Sequence, residues 1–269
     1  MRSSDLDVPH LDRPDHALPV RDSTSAPVPP DSSPYWAFYE EVAARQLAAW
    51  AAHEPHRVLD LSGGRARFAE QLVAAGHTVV HVCEVPPQPQ VDDRSPGTLL
   101  PVQAESTALS WVRDGAFDAV LAESRALSLC LATEVVAEEL FRVLRPGGRL
   151  LLVVDSLVLG LARLAEQGRW AELADVPSAD VVLIPSGSDG AITRCFWPEE
   201  LVALLTGAGL EVDWVRPRTV LTPAAVERAV QQGGRDAMVT LARTELALAE
   251  RRTGESPGLH LVASARRPE

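Results

Sequence analysis

The chain of 269 residues has no lysine and no asparagine, only three cysteines and two tyrosines, and no uninterrupted apolar run of about 18 residues. Cys83, Cys130 and Cys195 are too few and too far apart for a disulfide framework or a cysteine-built zinc site, which points to a reducing compartment. Without a long apolar run no membrane span is expected. The opening MRSSDLDVPH carries no apolar stretch behind Arg2, so no secretory signal is expected either, and a cytoplasmic location follows. Positive charge is also scarce. The 25 basic residues, all arginine, face 37 acidic ones for a net charge of −12, which opposes attraction to nucleic-acid phosphates and leaves a small molecule or a protein as the expected partner.

What is present is enough apolar residue, 46% of the chain, for one substantial core. Residues 1–33 hold Pro9, Pro14, Pro19, Pro27, Pro29 and Pro30 among Ser and Asp with no apolar period, and read as a disordered tail or a docking arm. A domain over 34–269 follows. It opens with an amphipathic helix that spaces Tyr35, Phe38, Tyr39, Val42, Gln46 and Ala49 along one face. Apolar strands and helical patterns then alternate: strands at 56–61, 77–83, 98–102, 117–122, 149–155, 210–215 and 259–265, and helices at 66–75, 131–144 and 198–207. Such alternation predicts an α/β fold with a mostly parallel sheet and helices on both faces. Two segments stand outside it. Residues 156–194 form an insertion with a helix over 157–174 and an apolar run Val181–Ile184, and two helices, 223–232 and 235–252, precede the last strand.

In an open α/β sheet ligands lie beyond the carboxyl ends of the strands, and here the first strand runs into Asp60-Leu61-Ser62-Gly63-Gly64-Arg65-Ala66. Glycine allows a sharp turn and a close approach of backbone, with free N–H groups of the next helix facing the ligand. The same pattern also serves as a plain strand-to-helix turn. Glu84 lies 20 residues beyond Gly64, the spacing at which a carboxylate accepts from a ribose. The seven histidines form no metal site: His77 and His81, four apart on one strand, lie about 13 Å apart, and no metal is expected.

RVLDLSGGRARFAEQLVAAGHTVVHV, GAFDAVLAES, LFRVLRPGGRLLLVV, CFWPEELVALLTGAGLEV and GLHLVASARRP together resemble the class I S-adenosylmethionine-dependent methyltransferases, from about Tyr35 to Arg267. The resemblance implies a Rossmann-like sheet with an antiparallel last strand, S-adenosylmethionine as cofactor, and a cofactor site at Asp60, Ser62, Gly63, Gly64, Glu84, Glu105 and Ser106. Glu105 would accept from the adenine amino group, with a backbone N–H from Ser106. The family's three motif glycines are here Ser62, Gly64 and Ala66, and its alignment places Cys83, not Glu84, at the ribose carboxylate. Glu84 takes that role if the strand ends in a one-residue bulge or the following loop turns inward.

Methyl transfer is an in-line displacement, so the protein supplies positioning and at times a base. The loop after the fourth strand, Ala122-Glu123-Ser124-Arg125, offers Glu123 for contacting the cofactor or as the catalytic base. Tyr35 and Tyr39 either close over the cofactor's amino-acid end or pack in the core. The three cysteines read as buried small apolar groups. Two functions remain open: a methyltransferase acting on a small-molecule acceptor, or a degenerate relative without catalysis that serves as a regulatory or scaffolding partner.

Overall fold

The computed structural model describes residues 33–63, 66–84, 95–123, 125–186, 191–251 and 258–269. Residues 1–32 of the expected tail, and Gly64, therefore lie outside the described residues. Ser33 caps the first helix, α1 (Pro34–Trp50), its hydroxyl accepting from Tyr35 N at 3.2 Å, with Pro34 suited to the first turn. Spacings of three and four bury Tyr35, Phe38, Tyr39, Val42, Gln46, Leu47 and Trp50. Ala49, placed on that face by the sequence reading, is exposed, and Leu47 and Trp50 carry the last turns instead.

Seven strands form the main sheet: β1 (Arg57–Asp60), β2 (Thr78–Cys83), β3 (Thr98–Gln103), β4 (Phe117–Ala122), β5 (Leu144–Asp155), β8 (Glu211–Pro217) and β9 (His260–Arg266). Their order is β3-β2-β1-β4-β5-β9-β8. β1 to β5 pair in parallel, and β9 runs antiparallel to both β5 and β8. The expected fold class is therefore the observed one. Pro101 sits on β3 at the sheet edge, where a missing N–H donor is tolerated.

Helices α1 and α2 (Arg67–Ala74) cover one face, burying Leu47, Trp50, Ala69 and Leu72 against Val58, Leu121 and Val153. Helices α3 (Ala126–Leu129), α4 (Thr133–Val143) and α7 (Pro198–Gly207) cover the other, against Leu59, Val120, Leu152 and Val154. Each Leu or Val buried on both sides of a parallel strand explains why these strands read as continuous apolar runs.

The structure departs from the sequence reading in the insertion. The single helix at 157–174 is two, α5 (Leu157–Glu166) and α6 (Trp170–Asp175), because Gly168 at φ 67° leaves the helical region. The run Val181–Ile184 belongs to β6 (Val182–Ser186), which pairs with a strand the reading missed, β7 (Ala191–Cys195). Gly160 lets α5 lie on this hairpin: a Cβ there would stand 2.9 Å from Cys195 Sγ. The pair of helices before the last strand is α8 (Pro223–Arg251), broken at Gly234 (φ 58°, ψ −145°) as the reading placed the break.

Candidate functional site

Strand order reverses between β1 and β4, each flanked by parallel neighbours, so the carboxyl ends of these two strands open the crevice in which α/β sheets bind ligands. At the end of β1 the buried Asp60 accepts from Ser62 N at 2.9 Å through Oδ1 and meets His81 Nδ1 at 2.7 Å through Oδ2. The first contact fixes the turn in the manner of an Asx turn, and the second ties it to β2. Gly63 holds φ 62°, and a Cβ added to it would meet no described atom within 4 Å. The turn is thus left-handed and faces open space. Ser62, standing where the resemblance has glycine, is not strained: among the described residues Arg125 is the sole non-glycine with positive φ. Its hydroxyl accepts from Glu123 N at 3.3 Å, which links the β1 turn to the end of β4.

The carboxylates assigned to the cofactor lie along the same edge. Glu84 is the exposed residue directly after β2, its carbonyl accepting from Gln103 Nε2 at 2.9 Å. The β2–β3 register runs without a shift through Cys83↔Gln103, so the bulge that would carry Glu84 inward is not there. Cys83 is buried, its thiol 3.8 Å from Val102 O and pushed up in pKa by burial. Glu105 is exposed in the turn after β3, accepting from Thr107 Oγ1 at 2.6 Å, with Ser106 half-buried beside it.

The reading of Glu123 as a catalytic base is met by a different arrangement. Both its oxygens are taken by Arg218, from Nη1 and Nη2 at 2.8 Å each, and the two side chains are 1% and 0% exposed. With both oxygens engaged by one guanidinium, the carboxylate acts as an anchor for Arg218. Arg218 also donates to Gln46 Oε1 and lies over the Tyr39 ring, 5.3 Å from its centroid. Burial, the largest single influence, would lower the Arg218 pKa, but the charges of and hydrogen bonds to Glu123 and Tyr39 together outweigh it and the net shift is upward. Tyr39 is pushed up to about 12 by burial. Tyr35 is likewise buried, its hydroxyl paired with Thr219 Oγ1 at 3.0 Å. Both tyrosines therefore pack in the interior with satisfied hydroxyls.

A polar row emerges when strand alternation is followed across the sheet. Residues two apart on a strand share a face, as do His81 and Val79, Asp60 and Val58, Glu123 and Leu121, Asp155 and Val153, and His260 and Val262, with Arg218 four residues from Trp214, and all these apolar residues pack on the α1 face. Toward one edge of the sheet, six consecutive strands thus carry a buried polar or charged residue: near the end of β2, at or just after the ends of β1, β4, β5 and β8, and at the start of β9. The sequence reading found Asp60 and Glu123 in this row and missed Asp155, Arg218 and His260. One signal was available: Asp155 closes its apolar strand as Asp60 closes β1.

Asp155, fully buried, receives Arg125 Nη1 at 3.1 and 2.9 Å on its two oxygens and Arg163 Nη1 at 3.0 Å, while Ser128 Oγ accepts from its backbone N–H. His260 Nε2 is 3.6 Å from the same carboxylate, too long for a hydrogen bond. Burial lowers the His260 pKa to about 4. Arg125 holds φ 61°, ψ 33° at the start of α3, a conformation costing a side-chain-bearing residue about 1–2 kcal/mol. Among the described residues no three His, Cys, Asp or Glu side chains converge as a metal site, and no helix is long and apolar enough to cross a membrane.

The strand order, the antiparallel last pair and the glycine turn at the switch point define a class I S-adenosylmethionine-dependent methyltransferase fold. Within it, residues 59–152 match the family described as methyltransferase domain, so this segment, from β1 through most of β5, is a methyltransferase domain. Solved structures agree in fold. One is the Burkholderia thailandensis 1,6-didemethyltoxoflavin-N1-methyltransferase, bound to 1,6-didemethyltoxoflavin and S-adenosylhomocysteine: 20% identity, 87% of this chain and 81% of that one covered, TM-score 0.55. A S-adenosylmethionine-dependent methyltransferase from Methanosarcina mazei gives 20%, 83% and 97%, with TM-score 0.53, and one from Mesorhizobium loti gives 16%, 88% and 100%, with TM-score 0.51. No curated protein sequence matches the chain.

Proposed function

We propose that the chain binds S-adenosylmethionine across the carboxyl ends of β1, β2 and β3 and transfers its methyl group to a small-molecule acceptor lying over β4 and β5. The observation that carries the reading is the β1 turn: Asp60 fixed on Ser62 N, and Gly63 left-handed over open space at the point where strand order reverses. Gly63 would bring backbone against the cofactor's amino-acid end; its expected partner Gly64 lies outside the described residues. Glu84, exposed at the end of β2, would accept from the ribose hydroxyls. Glu105 and Ser106, in the turn after β3, would meet the adenine. When bound, the cofactor supplies an electrophilic methyl on a sulfonium; the protein's own contribution is binding, orientation and exclusion of water. In this arrangement Glu123 is a positioning residue that fixes Arg218, and through it Tyr39 and Gln46, behind the site.

The acceptor is proposed to lie beneath the 156–194 insertion, whose α5 begins directly after β5 and whose β7 runs on into the sheet edge through Phe196 N to Asp155 O at 3.0 Å. The net charge of −12 favours a small acceptor over nucleic acid. Three free thiols fit a reducing cytoplasm.

Equilibrium dialysis against S-adenosylhomocysteine tests the reading. Retention by the native chain and its loss in Gly63→Val support it, and equal distribution across the membrane rejects it. One observation favours the second reading, a non-catalytic methyltransferase-fold partner: Cys83 occupies the ribose-carboxylate position with its thiol buried. The unstrained Ser62 speaks against it.

A further inference from the structure

Arg125 and Arg163 come from different elements, the N-cap of α3 and the seventh residue of the insertion helix α5, yet both rest on one buried carboxylate, Asp155. Each spends Nη1 on it, so the two guanidiniums stand side by side at the carboxyl ends of β4 and β5. Asp155 lies wholly beneath them, while the arginine side chains keep 29% and 24% of their exposure. Two positive charges therefore share one negative charge. Among the described residues, the other members of the cluster do not redress the balance. Glu123 and Arg218 neutralise each other, His260 and Tyr39 are uncharged near neutrality, and the thiol of Cys195, which senses the same charges, is held protonated by burial. On a chain of net charge −12 this is a local excess of one positive charge at the opening of the crevice.

Two further observations point to a ligand. Arg125 keeps a full side chain in the backbone conformation that glycine adopts most readily, a strain whose benefit must lie in where the guanidinium is put. His260 Nδ1, in a ring that is 4% exposed and stacked edge-on to Tyr39, has no hydrogen-bond partner among the described residues, so the same cluster holds polar capacity that these residues leave unused.

We infer that Arg125 and Arg163, braced on Asp155, bind the carboxylate of the methyl acceptor, so that the acceptor is a small organic acid. This rests on the methyltransferase reading for the word acceptor, but not for the anion site itself. A planar carboxylate matches the outer edges of two adjacent guanidiniums, which offer paired N–H donors that an ammonium group would not.

The test is calorimetric titration of the full chain at low ionic strength with acetate, benzoate and indole-3-acetate, and with their uncharged amides, in the presence and absence of S-adenosylhomocysteine. The variants Arg125→Gln and Arg163→Gln each leave Asp155 one arginine partner, and thermal melting checks that they fold. At least one carboxylate is expected to bind ten-fold or more tighter than its amide, and to lose ten-fold or more in each variant, with affinity for S-adenosylhomocysteine unchanged within two-fold. Equal binding of carboxylates and amides overturns the inference. So does a variant that weakens S-adenosylhomocysteine as much as the carboxylate, since the arginines would then serve the cofactor's own amino-acid end. Carboxylate binding in a chain that takes up no S-adenosylhomocysteine keeps the anion site and rejects the methyltransferase reading alone.

Discussion

Glu123 and Arg218, 95 residues apart in the chain, close a bidentate ion pair with both N···O distances at 2.8 Å and almost no exposure of either side chain. The pair reaches from the end of β4 to the end of β8, over the two strands between them. It draws Gln46 and Tyr39 of α1 into the same network. A buried pair of this kind contributes little against apolar residues of equal volume, but breaking it strands a charge in the interior.

Removing one partner is therefore expected to be costly. Glu123→Met and Arg218→Met should each lower unfolding free energy by about 3–5 kcal/mol, whereas the double change Glu123→Met with Arg218→Met should cost far less than the sum of the single changes. Urea denaturation of the four proteins measures it.

Gly63 has room for a side chain but the wrong sign of φ for one. Gly63→Ala should lose about 1–2 kcal/mol of stability through backbone strain with no clash. Denaturant midpoints give the cost, and Gly207, open and without positive φ, provides the comparison at which alanine should be tolerated.

His260 makes stability depend on pH. Its folded pKa of about 4 lies below the ordinary 6.5, chiefly through burial, so between those values the unfolded chain holds a proton that the folded chain does not. The stabilisation is complete above pH 6.5 and is lost as pH falls to 4, about 3 kcal/mol in all. His260→Gln should flatten that part of a stability–pH curve, measured by urea titration from pH 7.5 to 4.

The thiols should separate by accessibility. Cys195 is buried with its pKa pushed up to about 12 by burial, and Cys83 is raised by the same cause, whereas Cys130 is partly exposed. Iodoacetamide at pH 8 should label Cys130 in the native protein, and Cys83 and Cys195 only in urea, as peptide mass mapping would show.

Much of the sheet was legible because a strand covered on both faces must be apolar throughout, and Val58–Leu59, Val79–Val80 and Leu150–Val154 are. The break between the two last helices was legible for a local reason, the Gly233-Gly234 pair between two helical patterns. The hairpin partner β7 was not, since AITRC is short and has no clean apolar period of two, and the burial of its Cys195 comes from α5 lying against it. In the site, the glycine turn announces itself by composition. Arg125, Asp155, Arg163, Arg218 and His260 do not, because each owes its place to a partner on another strand or helix, and a buried arginine looks like any exposed one until its carboxylate is found. Glu123 drew notice by its position at a strand end, but what it does there was decided by Arg218.

The central claim is a cofactor site at the carboxyl ends of β1 to β3. The measurement that tests it most directly is calorimetric titration with S-adenosylmethionine and S-adenosylhomocysteine of the native chain, Glu84→Ala and Glu105→Ala. Micromolar binding of both ligands is expected, with roughly ten-fold weakening in each variant for the loss of one charged hydrogen bond. No heat of binding for either ligand at millimolar concentration would contradict the claim.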